Sequence, residues 1–136
     1  MNAVSAACRA ASRLLAPVVV LAAAALPALA GGRPSLNVYF QSTLKDPAYQ
    51  KQVFQKVAGV WKAPASAPAV GKKCVVQATL TRDGRVMTAV VSMSSGVKAW
   101  DRAALAAVEG SSPFPPFPSS FEPKTLEVHF HVAVVP

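Results

Sequence analysis

Cysteine and acid are both scarce in this chain of 136 residues. It has two cysteines, and six Asp and Glu against fourteen Lys and Arg, for a formal net charge of +8. Cys8 lies in a segment expected to be removed, which leaves Cys74 without a partner in the chain and excludes a disulfide framework. A chain of this length can bury a core without one, and a lone thiol is more often buried than reactive. Signatures of catalysis are missing as well. There is no nucleophile elbow, no HExxH helix and no glycine-rich phosphate loop. Ser95, His129 and Asp101 supply the residue types of a hydrolytic triad, but nothing in their spacing draws them together. The chain is therefore read as a non-enzyme with no cofactor.

Only one long apolar run is present, so no second membrane span is expected. That run, Leu14 to Leu26, follows Arg9 and Arg13 and is closed by Pro27 and the small-residue exit Ala28-Leu29-Ala30. Basic start, apolar middle and small exit read as a secretory signal peptide over residues 1–30, with an uncleaved membrane anchor as the competing reading. Cleavage after Ala30 removes two arginines and no acid, leaving +6. The excess of cations favours anionic partners in the envelope. Lys51, Lys56, Lys62, Lys72, Lys73 and Lys98 are scattered, however, as a solubilising charge would be. An exported protein rarely meets nucleic acid, so none is expected as a partner.

Residues 31–45 form a leader in which Leu36, Val38 and Phe40 alternate with Asn37 and Tyr39, the pattern of a short edge strand. The domain proper is placed at residues 46–136. Asp46-Pro47 is a helix start, and Tyr49, Val53, Val57 and Val60 then recur at helical spacing. A proline-rich loop through Pro64 follows Trp61. Lys73 to Thr81 alternates as a half-buried strand, Asp83-Gly84 is a hairpin turn, and Arg85 to Met93 is the return strand, apolar on both faces. A second helix, Trp100 to Glu109, carries Asp101 in its first turn and ends at Gly110. Leu126 to Val135 is the last strand, with Val128, Phe130, Val132 and Val134 on one side. Between them "SSPFPPFPSSF", Ser111 to Phe121, can neither continue a helix nor join a ladder. It reads as a joint whose phenylalanines fold back on the core, rather than as a polyproline ligand. The expected fold class is α+β: helix-strand-strand-helix-strand, a three-stranded antiparallel sheet with two helices packed on one face.

The run "LTRDGRVMTAVVSMSSGVKAWDRAALAAVEGSSPFPPFP", with "VWKAP" before it and "LEVHFHV" after it, resembles the C-terminal domain of TonB and TolA proteins. The residues that carry the resemblance are Trp61, Pro64, Asp83, Gly84, Ser95, Gly96, Asp101, Phe114, Pro115 and Pro116. The likeness implies protein binding in the periplasm, by addition of a partner's strand to the sheet edge, with links to outer-membrane transport or envelope integrity. The edge expected to be free is Leu126 to Val135, presenting Glu127, His129, His131, Ala133 and Val135. A homodimer through a strand edge or Cys74 is a further expectation. Two features depart from the family. The leader of roughly fifteen residues reaches at most ~50 Å, too short for a periplasm-crossing arm. The second helix has no cysteine to bridge Cys74. The alternatives are a short inner-membrane-anchored transducer and a metal- or ligand-binding periplasmic protein. The metal reading rests on His129 and His131, which point the same way from one strand.

Overall fold

The structure, a computed structural model, describes residues 32–136; the expected targeting segment lies outside the described residues. Six elements follow in the order β1 (Arg33–Phe40), α1 (Pro47–Val60), β2 (Lys73–Thr81), β3 (Val86–Met93), α2 (Lys98–Gly110) and β4 (Thr125–Val135). The expected helix-strand-strand-helix-strand order is present, and the leader adds a fourth strand. The sheet is antiparallel throughout, in the order β1-β4-β2-β3.

Local chemistry sets the helices. The Asp46 carboxylate accepts the Tyr49 N–H at 3.0 Å, and Pro47 fills the first turn of α1. Tyr49, Val53 and Val57, four residues apart, are its buried stripe, each worth about 1.5–3 kcal/mol by transfer from water. In α2 the buried stripe is Trp100, Ala104, Ala107 and Val108. Both stripes share one core with the alternating residues Cys74, Val76, Ala78 and Leu80 of β2 and Leu126, Val128, Phe130, Val132 and Val134 of β4. The other sheet face has no helix on it and carries the odd-numbered residues of β4.

The proline segment is a joint. Phe114, Phe117 and Phe121 are all buried, and Phe114 stacks on Phe130 with ring centroids 6.0 Å apart. The Asp83-Gly84 turn holds this joint. The Gly84 carbonyl accepts the Phe114 N–H at 2.7 Å, and the Arg82 carbonyl accepts the Phe117 N–H at 3.1 Å. The Arg82 guanidinium donates to the Phe121 carbonyl at 2.6 Å and lies over the Phe117 ring. Gly84 has φ +90°, and a Cβ there would sit 1.8 Å from the Phe114 carbonyl oxygen. Two turns far apart in sequence thus meet where only glycine fits.

Two expectations are corrected. The strand of Glu127, His129, His131, Ala133 and Val135 is not a free edge, because β4 pairs with β1 on one side and β2 on the other. Three alternating apolar residues in the leader suffice to hold β1 there, since Val38 joins the core and Leu36 and Phe40 pack against it. Cys74 cannot support a dimer. It is fully buried on the inner sheet face, and burial, then the nearby Asp101 carboxylate, pushes its pKa up to about 12.

Candidate functional site: the β3 edge

A sheet of four strands has two rims, here β1 and β3. Ladder parity shows which main-chain groups each presents. Gln41 N–H donates to Glu127 C=O, so the odd residues of β4 bond β1; Val134 N–H donates to Lys72 C=O, so its even residues bond β2. It follows that β2 bonds β3 through Gln77 and Thr79, the partners of Val90 and Thr88. Ala89 and Val91, opposite Ala78 and Val76, turn their N–H and C=O groups away from the sheet. Val86 has the same parity, and its N–H is taken by the Ser112 hydroxyl at 3.2 Å.

The side chains of this rim are apolar. Met87, Val90 and Met93 are 57%, 55% and 51% exposed, an arrangement that leaves a long apolar strand facing water. No charged residue occurs from Val86 to Met93; the nearest are Arg85 and Lys98. Free edges are ordinarily blunted by charge, proline or bulges. This one has two register shifts against β2, near Val75 and Thr79, and no charge or proline.

The β1 rim is guarded. Pro34 has no N–H to offer, and the Gln50 side-chain amide donates to the Val38 carbonyl at 2.6 Å. Helix α1 packs beside it, as the half-buried Phe40 against Tyr49 shows, with centroids 5.8 Å apart.

The remaining candidates take structural roles. Ser95 and Gly96, read as a family turn, wrap the Asp101 carboxylate. It accepts from Ser94 Oγ at 2.5 Å, Ser95 N–H at 2.9 Å and Ser95 Oγ at 2.7 Å. Burial works against this ionised carboxyl, but the donors outweigh it and hold the pKa below the ordinary range. The donors of this turn are thus taken up by a carboxylate of the chain itself. Trp61 and Trp100 meet edge to face at 5.0 Å, and the Pro115 carbonyl accepts the Tyr49 hydroxyl at 2.8 Å. Pro64 is half-buried in the loop after α1, and Pro116 is exposed in the joint.

The two histidines lie on the helix-free face and take separate partners. His129 Nε2 is 2.7 Å from Glu127 Oε1, and His131 Nδ1 is 3.4 Å from Lys73 Nζ. Burial, then Lys73 and His129, lower the His131 pKa, which favours a neutral ring beside the lysine. Among the described residues no three His, Cys, Asp or Glu side chains come close enough to hold a metal ion. Ser95 and Asp101 bond each other at the start of α2, while His129 bonds Glu127, so the structure does not assemble the triad. No helix among the described residues is long and apolar enough to cross a membrane.

The TonB C-terminal family model matches residues 46–130. A search of curated proteins finds no match. Among solved structures, the chain is similar to that titled "Solution NMR Structure of TolAIII Bound to a Peptide Derived from the N-terminus of TolB". The two are 30% identical, with a TM-score of 0.48, over 54% of this chain and 59% of that one. The match from the Asp46 cap into β4 takes in both helices, the Asp-Gly turn and the phenylalanine-proline joint. The chain therefore belongs to the TonB C-terminal family, whose domains are binding modules of the Gram-negative envelope rather than enzymes.

Proposed function

We propose that this protein is a periplasmic adaptor that captures an extended segment of an envelope protein as an additional strand on β3. The observation that carries the reading is the rim itself: outward main-chain groups at Ala89 and Val91 beside exposed Met87, Val90 and Met93, without a charge. Main-chain pairing supplies affinity in such an arrangement, and alternate side chains select the guest. Export by the segment of residues 1–30, with cleavage after Ala30, delivers the domain to that compartment. Mass spectrometry of the mature protein is expected to find Gly31 at its N-terminus.

The test uses Ala89→Pro. Its N–H points away from β2, so proline removes no ladder bond but denies one to a guest and places a ring in its path. Capture of partners from an envelope extract is expected to fall at least tenfold, with the unfolding transition retained. A Glu122→Ala variant, at an exposed position in the loop before β4, is expected to capture as the natural protein does. Equal capture by the Ala89→Pro protein would remove β3 from consideration.

A further inference from the structure

A groove runs along the seam between β1 and α1, on the rim opposite β3. One part of it is apolar, lined by Pro34, Leu36, Phe54, Val57, Ala58, Trp61 and Val132, with a volume of about 190 Å³. Leu36 and Phe54 also wall a wider recess of about 390 Å³, where Asn37, Tyr39, Gln50 and Lys51 add polar atoms. The two recesses thus share a wall. One is a dry slot and the other a wet, basic mouth. Strand β1 lies outside the matched residues 46–130, so one wall of this seam comes from the chain's own leader.

We propose that the groove receives one bulky apolar side chain from an acidic, extended segment of a partner polypeptide. An apolar cavity of ~150 Å³ accepts a benzene-sized group, so this slot suits a single Phe or Leu side chain. Charge selects what surrounds that anchor. No acid lines either recess, and Lys51 stands at the mouth. The wall also favours a peptide over an acyl chain. By ladder parity Leu36 turns its N–H and C=O outward along this wall, and an acyl chain offers nothing to pair with them. The stretch is too short for a whole guest strand, because Pro34 and the Gln50–Val38 bond close it at both ends. Binding here therefore rests on the anchor side chain and its flanking acids, which separates this site from strand addition at β3.

The probe is the peptide acetyl-Asp-Asp-Phe-Asp-Ala-amide, titrated into isotope-labelled protein and followed by NMR. The indole N–H signals distinguish the two tryptophans: Trp100 donates to Val132 C=O at 3.2 Å, whereas Trp61 Nε1 is buried without a partner. Saturable shifts are expected at Leu36, Phe54 and Trp61, and none with Ala in place of the peptide's Phe. Ala58→Trp, which fills the slot from an exposed helix position, is expected to weaken binding at least tenfold. Lys51→Glu, remote from the core, is expected to weaken it about threefold to tenfold, and Ala89→Pro not at all. The proposal is overturned by shifts confined to β3, by no saturable shift in the groove, or by octanoate binding there as tightly as the peptide. Concentration-dependent dimerisation that protects Leu36 and Trp61 would assign the groove to a second copy and overturn it equally.

Discussion

The same substitution at two glycines should move stability in opposite directions. At Gly84 an alanine meets three costs. A side chain at φ +90° is strained by ~1–2 kcal/mol. The new Cβ would lie 1.8 Å from the Phe114 oxygen and 2.7 Å from its carbonyl carbon, so the phenylalanine-proline joint must move away. That movement gives up the 2.7 Å bond from Phe114 N–H to Gly84 C=O, worth about 0.5–1.5 kcal/mol. It also disturbs the packing of Phe114 on Phe130, for which overpacking costs of ~1–3 kcal/mol are typical. Together Gly84→Ala should lose about 3–5 kcal/mol, a fall in Tm of roughly 15 °C or more for a domain of this size. Gly59, inside α1, has no atom beyond the backbone of its own helix and its chain neighbours within 4 Å of the place a Cβ would take, and no positive φ. There Gly59→Ala should gain about 0.5–1 kcal/mol from helix propensity. Urea unfolding followed by tryptophan emission and circular dichroism measures both. A Gly84→Ala protein within about 1 kcal/mol of the natural one would refute the contact between turn and joint. Equal losses at both sites would show that position does not matter.

Two other groups should report on the core. Asp101 has a lowered pKa in the folded state, so its contribution is present above the unfolded value of about 3.9 and is lost as pH falls through the folded one. Solvent screening discounts the bonds this partly exposed carboxylate accepts, so Asp101→Asn should cost no more than about 1 kcal/mol near neutrality and flatten the acid limb of the stability profile below pH ~4; an unchanged limb would count against the wrapped carboxylate. Cys74, with its pKa pushed up to about 12, should react with a thiol reagent at pH 8 at least a thousandfold more slowly than a free thiol with its ordinary pKa. Prompt labelling of the folded protein would show that the inner face of β2 opens.

Much of the fold was written locally. Asp46-Pro47, the alternation from Lys73 to Thr81 and the Asp83-Gly84 turn each have a near-neighbour physical cause, and the structure has those elements at those positions. What the sequence did not reveal was adjacency. The polar alternation of Glu127, His129 and His131 reads equally as an edge or as one half-exposed face of an inner strand, because alternation reports faces and not flanks. Three apolar residues in the leader decided the matter, and their pairing with β4 spans nearly all of the described residues. The actual rim did leave a trace. Arg85 to Met93 is apolar on both faces, and in the structure one face packs toward the core while Val90 and Met93 stay exposed on the other. The meeting of Gly84 with Phe114 had no signal beyond the family pattern, since loop-to-loop contacts have no period.

Placing β1 against β4 has a consequence for selectivity. A sheet of β4, β2 and β3 alone would offer two rims of different chemistry, one polar with two histidines and one apolar. The leader covers the first with a strand guarded by its own Pro34 and by Gln50 of α1, so under the proposed strand addition an incoming strand would be directed to the second. There the guest would have Val86, Ala89 and Val91, which pack toward the core, as neighbours on its helix side. On the helix-free side it would meet Thr88, Val90 and Met93. With apolar groups on both sides and no charge to fix register, the two register shifts in β3 become the features that locate the guest. Its strongest contacts then fall on the stretch from Thr88 to Val91, where the ladder between the shifts is regular, and a guest apolar at alternate positions on both faces fits that stretch best.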